Sequence, residues 1–259
     1  MLRLGKDHSV ISYDTTPLRL AILPPLLYIV KSHFPEFPMP SVKLQNSLEQ
    51  ITVGKILCIG QNYAQHAKEM KSDVPTSPIF FLKPPTAIIR SGGTVVLPSI
   101  SNDVHHEVEL TVLIGEGGKD IPKESSLKHV AGYGIGLDMT MRDIQDQAKK
   151  KGMPWTLAKG FDTSAPLSEF SPASSIPNPN ALDVQLTVNG TVRQSSNTRN
   201  LIFSVETLIA YISRFITLER GDVIFTGTPE GVSRVTKGDS LEAVLKDNRV
   251  LASLSVRVE

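Results

Sequence analysis

Residues 105–114 read HHEVELTVLI, and they alternate. His105, Glu107, Glu109 and Thr111 fall on one face, with Val108, Leu110, Val112 and Ile114 on the other, the period of a half-buried β-strand. At about 3.3 Å per residue, the two glutamates start roughly 7 Å apart and point the same way. That is close enough for both to lean onto one hard cation, and without a cation they repel. Working outward, residues 132–140 (GYGIGLDMT) place Gly132, Gly134, Gly136 and Asp138 on one face and Tyr133, Ile135, Leu137 and Met139 on the other. The glycines are expected to leave open space beside Asp138. Three carboxylates on an octahedral Mg²⁺ or Mn²⁺ would leave about three positions for water or substrate. The same pattern also describes two glutamates on a solvated strand face with Asp138 opening a turn, and spacing alone leaves both readings open.

The chain has 259 residues and a formal net charge of +1, so nothing in its charge recruits nucleic acid or an anionic membrane surface. Its single cysteine, Cys58, lies in the apolar run KILCIG. A lone thiol there reads as core filler in a reducing compartment, and a disulfide framework is impossible. The apolar run from Leu18 to Val30 is too short for a membrane span and is broken by Pro24 and Pro25. Arg3, Lys6 and Arg19 suit a mitochondrial leader while Asp7 and Asp14 do not; the expected compartment is cytoplasmic, with the mitochondrial matrix as the alternative. Residues 1–50 are expected to form a small appended segment, set off by FPEFPMP at 34–40, and residues 51–259 the main domain.

Within that domain, Lys55–Ile59 reads as a strand turning at Gly60 into a helix capped near Asn62. On this helix His66 and Glu69 share a face. A carboxylate beside an imidazole fixes its tautomer and raises its basicity, as a general base requires, although an ordinary exposed helix pair has the same spacing. After a strand at Ile79–Lys83, the run RDIQDQAKKK at 142–151 reads as a helix, with acids early, lysines late and Gly152 as its stop. Its first turn carries Arg142 and Gln145, which would reach a ligand on the metal or serve only in a local ion pair. Lys159, in PWTLAKGFD, is either a partly buried cation or a side chain that snorkels to solvent. Further on come a hairpin about Asn189-Gly190, a helix near 204–215 and a strand entering the loop Gly227-Thr228-Pro229-Glu230-Gly231. The amides of that loop and the Thr228 hydroxyl are suited to hold a carboxylate.

With these residues assembled, the sequence resembles the fumarylacetoacetate hydrolase family, in particular its short acylpyruvase and oxaloacetate decarboxylase or tautomerase branch. The likeness runs from about Lys55 to the C-terminus and rests on GQNYAQHAKEM (60–70), FFLKP (80–84), HHEVEL (105–110), LDMTMRDIQDQAKKKGMPWTLAKGFD (137–162), VNGTVRQ (188–194) and GDVIFTGTPEGV (221–232). The resemblance implies an α+β, β-rich fold, a mixed β-roll or sandwich around a metal site with peripheral helices, usually as a homodimer. It implies Glu107, Glu109 and Asp138 as ligands of Mg²⁺ or Mn²⁺, and His66 and Glu69 as a catalytic lid dyad. It further implies Lys159 as a catalytic lysine, with Arg142, Gln145 and Thr228 in contact with substrate. One departure is visible: Gln61 stands where the family generally has arginine.

A 2-oxo acid chelating such a metal is expected to form an enolate whose charge the ion and Lys159 stabilise. Hydrolysis of an acylpyruvate or decarboxylation of oxaloacetate is expected first. The alternatives are enol–keto tautomerisation of oxaloacetate and isomerisation of a 2-hydroxyhepta-2,4-diene-1,7-dioate-like substrate. A non-catalytic member binding a dicarboxylate or a protein on the same fold is the reading from another class.

Overall fold

The computed structural model describes residues 39–259. The leader-like residues and the apolar run at 18–30 lie outside that range, as does most of the expected 1–50 segment. The first described strand, Ser41–Val42, pairs antiparallel with Ile51–Thr52. No helix among the described residues is long and apolar enough to cross a membrane.

The architecture is α+β and β-rich, as expected. Its centre is a mixed eight-stranded sheet whose main path runs Ile79–Lys83, Ile56–Gly60, Val223–Phe225, Val108–Ile114, Val130–Leu137, Ala165–Leu167 and Ile88–Arg90, with Ser171–Pro172 also paired to Val130–Leu137. A five-stranded sheet (Thr191–Asn197, Asp183–Val188, Ser240–Lys246, Val250–Val258, Thr94–Val95) packs against one face of it. Among the described residues four α-helices lie outside: α1 (Ala64–Glu69), α2 (Arg142–Lys151), α3 (Thr156–Lys159) and α4 (Val205–Ser213). Between the sheets, Val108, Leu110, Val112, Ile135 and Leu137 meet Leu186, Ala243, Leu245 and Val256, all fully buried. At about 1.5–3 kcal/mol per buried aliphatic side chain, this layer is the main stabilising body of the fold.

The decisive strand differs from its expected form in two respects: it breaks at Glu107, Val104–His106 pairing instead with Thr140–Met141 and Ser233–Arg234 in a separate three-stranded sheet, and every residue from Val108 to Ile114 is buried, so that part is covered on both faces. The even-numbered side chains enter the inter-sheet core, while Leu113 joins a second cluster with Cys58, Val223 and Phe225. The glycines of Val130–Leu137 do not leave open space either. A Cβ on Gly136 would lie 2.7 Å from the Phe225 ring, and one on Gly134 2.9 Å from Ser168 Oγ. Glycine is required there because neighbouring side chains press onto the strand backbone.

Local signals set the other elements. Gly152 takes a left-handed conformation (φ 64°) and ends α2. Asn189 and Gly190 are both at positive φ, the geometry of a tight hairpin. The helix expected near 204–215 is α4; Ser204 caps it, and its buried face carries Val205, Leu208, Ile209 and Ile212. Asn62 is not a helix cap. Its buried amide donates to the Phe203 and Thr226 carbonyls (3.0 and 2.8 Å) and accepts from Phe203 N (2.8 Å), tying the strand–helix turn to two distant segments.

Candidate metal and active site

The antiparallel register sets Val108 opposite Leu137 and Glu109 opposite Gly136, and Asp138 N donates to the Glu107 carbonyl at 2.8 Å. One strand's end thereby delivers Asp138 beside the other strand's glutamates. Glu107, Glu109 and Asp138 are all buried, and each offers an oxygen within 4.8 Å of the other two. The open choice in the sequence is decided: these carboxylates converge instead of lining a solvated face.

Their charges are unequally compensated. Burial pushes the Glu107 carboxyl up, but Lys159, Arg142 and His66 outweigh it and hold it well below the usual carboxylate range. Lys159 Nζ donates to Glu107 Oε2 and Asp138 Oδ2, both at 2.7 Å, and Arg142 pairs with Glu107 Oε1. Burial, and then the charges of Asp138 and Glu107, push the Glu109 carboxyl well above its ordinary range. Its partner is the Gly227 amide, 2.6 Å from Oε2. Asp138 Oδ1 lies 2.8 Å from Lys83 Nζ yet accepts no well-directed hydrogen bond. A buried acceptor without a directed donor, a carboxylate lifted by its like-charged neighbours and an all-oxygen donor set fit a hard divalent cation such as Mg²⁺ or Mn²⁺.

The remaining expected residues gather around this trio. Arg142 and Gln145, buried on the first turn of α2, are linked by Arg142 Nη1 donating to Gln145 Oε1 at 2.7 Å. Lys159, at the end of α3, does not snorkel: it is 3% exposed. On α1, His66 Nδ1 lies 3.1 Å from Glu69 Oε2, and Glu69 Oε1 accepts from Gly231 N at 3.1 Å. The helix is thus docked onto the 227–231 loop. Gln61, at positive φ, donates to Ser72 Oγ at 2.9 Å, joining the two ends of the segment that carries α1. These side chains surround one pocket lined by His66, Glu107, Arg142, Gln145, Lys159 and Thr228, with Gln61, Met70, Lys149 and Trp155 also on its walls.

The loop expected to hold a carboxylate does hold one, but it belongs to the protein: the Gly227 amide binds Glu109. Thr228 Oγ1 donates to Val108 O (2.9 Å) and accepts from Gln194 Nε2 (2.8 Å). Residue-level reading of the sequence did not single out Gln194 or Lys83. Gln194 is turned inward by a strand irregularity in which Leu186 faces Gln194 while Thr187 faces Val192. Its Oε1 takes both Val108 N (3.0 Å) and His106 Nδ1 (2.9 Å). Lys83 lies under the site, with Met139 O (3.1 Å), Ser164 O (3.0 Å) and the Lys159 carbonyl around its ammonium. The signal for Lys83 was a lysine two residues after Phe81, sharing its strand face immediately before Pro84.

Comparison with known proteins agrees with this geometry. The family model "Fumarylacetoacetate (FAA) hydrolase C-terminal" matches residues 55–258. The mitochondrial oxaloacetate tautomerase FAHD1 of Rattus norvegicus is 51% identical over 188 residues, 73% of this chain and 85% of that one. The mitochondrial oxaloacetate decarboxylase of Dictyostelium discoideum is 47% identical over 189 residues, 73% and 87% of the two chains. The crystal structure of fumarylpyruvate hydrolase from Pseudomonas aeruginosa in complex with Mn²⁺ and pyruvate is 41% identical, with a TM-score of 0.80 over 84% of this chain and 94% of that one. With that family model spanning residues 55–258 and relatives about half identical over most of their length, the chain belongs to the fumarylacetoacetate hydrolase family.

Proposed function

We propose that this protein is a divalent-metal-dependent enzyme of small 2-oxo acids and that its principal reaction is the enol–keto tautomerisation of oxaloacetate. The observation that carries the reading is the convergence of an oriented imidazole, His66, with a buried charged donor, Lys159, on one carboxylate cluster. The relatives at 44–51% identity that are named oxaloacetate tautomerase put this reaction ahead of acylpyruvate hydrolysis and oxaloacetate decarboxylation, which reverses the order expected from the sequence. Decarboxylation stays second, supported by the Dictyostelium relative's name.

Glu107, Glu109 and Asp138 would hold Mg²⁺ or Mn²⁺, a choice supported by the Mn²⁺ of the Pseudomonas relative. When bound, the ion supplies Lewis-acid stabilisation for negative charge developing on the substrate's C2 oxygen. The chain's own residues do the rest. Although burial opposes it, the pairing of Lys159 with Asp138 and Glu107 raises the affinity of its ammonium for its proton, so it directs a charged donor at the same oxygen. Arg142 and Gln145 hold the C1 carboxylate, and Thr228 shapes the wall beside it. Glu69 accepts from Nδ1 of His66 and leaves Nε2 free to move the proton at C3.

The Rattus and Dictyostelium relatives are mitochondrial by name, which favours the mitochondrial matrix over the cytoplasm for this chain, and the family resemblance favours a homodimer. An NMR time course with Mg²⁺, offering oxaloacetate and acetylpyruvate separately, tests the reaction. The expected result is faster conversion of the oxaloacetate enol to keto signal without matching pyruvate. Acetate and pyruvate from acetylpyruvate, with the enol decaying at its uncatalysed rate, would make the protein a C–C hydrolase instead.

A further inference from the structure

Among the described residues, the lysines and arginines on the pocket wall are Arg142, Lys149 and Lys159. Two are committed to protein carboxylates, Lys159 to Glu107 and Asp138, and Arg142 to Glu107. Lys149 differs: among the described residues it forms no ion pair, and its ammonium lies over the Trp155 ring, 5.4 Å from the centroid. Trp155 is itself fixed, edge-on to Phe81 at 5.7 Å and close enough to Gly60 that a Cβ there would touch the indole at 3.6 Å. A cation resting on an immobilised aromatic face is placed in advance, with less rotamer freedom to lose on meeting an anion. Helical geometry aligns it with the substrate machinery. Residues 142, 145 and 149 fall on one face of α2, and Lys149 follows Gln145 by one turn, about 6 Å along the axis, comparable to the reach of a four-carbon chain. Arg142 and Gln145 are buried while Lys149 is exposed, so the face runs from the pocket floor to its mouth.

We propose that Lys149 determines specificity by receiving the second, distal carboxylate of a dicarboxylic 2-oxo acid at the pocket mouth. This deepens the proposed function and rests on its placement of the 2-oxo acid end at Arg142, Gln145 and Lys159. Lys149 selects among 2-oxo acids that share that end: a terminal carboxylate gains a charged partner, while an acyl terminus gains none and leaves the ammonium on its ring.

The test is calorimetric binding to the Mg²⁺-loaded protein, which does not depend on turnover. Oxalate carries the chelating end alone. Oxaloacetate and acetylpyruvate extend it by nearly isosteric termini, a carboxylate against an acetyl group. Lys149→Met is expected to weaken oxaloacetate about five- to tenfold, a loss that shrinks at high salt as for any solvent-exposed ion pair, while acetylpyruvate and oxalate change less than about threefold. Lys149→Arg should restore most of the preference. Lys150→Met, displaced by about 100° around α2, should bind all three ligands as the wild type does. Equal factors for oxaloacetate and acetylpyruvate in Lys149→Met, including no change in either, would overturn the proposal, as would the same selective loss in Lys150→Met. Wild-type protein that binds the ligands but moves no proton would fail the proposed reaction while leaving the Lys149 comparison intact. Wild-type protein that binds neither extended ligand would overturn both.

Discussion

Replacing Lys159 with methionine keeps much of the side chain's length and apolar stem. It deletes the ammonium that lies 2.7 Å from both Glu107 Oε2 and Asp138 Oδ2. Removing one partner from a buried ion pair costs about 3–5 kcal/mol, because the remaining charge is left without compensation. Two carboxylates lose a partner here, but Arg142 still pairs with Glu107 and Lys83 with Asp138, so the cost belongs within that range and not at twice its value. At roughly 2–4 °C of Tm per kcal/mol for a chain of this size, Lys159→Met should melt about 6–20 °C below wild type in chelator. Saturating Mg²⁺ should then raise its Tm by more than it raises that of wild type. The added dication neutralises the same carboxylates that the ammonium had served, and an ion at about a hundred times its Kd contributes roughly 2.7 kcal/mol. Thermal melts of both proteins in chelator and in Mg²⁺ make the comparison. A variant that melts within about 2 °C of wild type in chelator, or gains less from Mg²⁺, would refute the claim that Lys159 balances the metal carboxylates.

Two other perturbations probe Glu109 and Asn62. Burial and the charges of Asp138 and Glu107 raise the Glu109 carboxyl, so the cation-free folded protein keeps a proton that the unfolded chain loses above about pH 4.5. Its stability should therefore fall as pH rises from there toward the folded value. Mg²⁺ uptake should release up to one proton, seen as a binding enthalpy that varies with the buffer's ionisation enthalpy; a buffer-independent enthalpy throughout the acidic and neutral range would contradict this. Asn62→Ala removes three buried hydrogen bonds, from Phe203 N and to the Phe203 and Thr226 carbonyls. At about 1 kcal/mol each it should lose roughly 3 kcal/mol in urea unfolding, and a loss under about 1 kcal/mol would mean that water satisfies the orphaned groups.

Much of this site was legible because its residues sit on regular elements. Alternation alone brought Glu107 and Glu109 to one side, where they converge even though the strand breaks at Glu107, and the acid-to-lysine order of 142–151 defined α2 to the residue. What covers a face was not legible, since covering side chains come from far along the chain. Phe225 presses on Gly136 and Ser168 on Gly134, so glycines that read as open space are points of close packing. For the same reason Asn62 read as a cap. Its three partners lie at residues 203 and 226, and no local rule reports them. Gln194 depends on a strand irregularity that shifts its register, and Lys83 on the carbonyls of residues 139, 159 and 164, far from it in sequence. Nor does a local rule report that Ser72, eleven residues on, accepts the Gln61 amide.

The most direct test of the central claim is the rate of oxaloacetate enol-to-keto conversion by wild type and His66→Ala, followed by stopped-flow absorbance with Mg²⁺, with oxalate affinity measured on the same samples. Wild type should accelerate the conversion, and His66→Ala should lose about 10²–10⁴-fold in rate, the span of a positioned acid or base, while binding oxalate as tightly as wild type. A His66→Ala protein that converts the enol at the wild-type rate would contradict that claim.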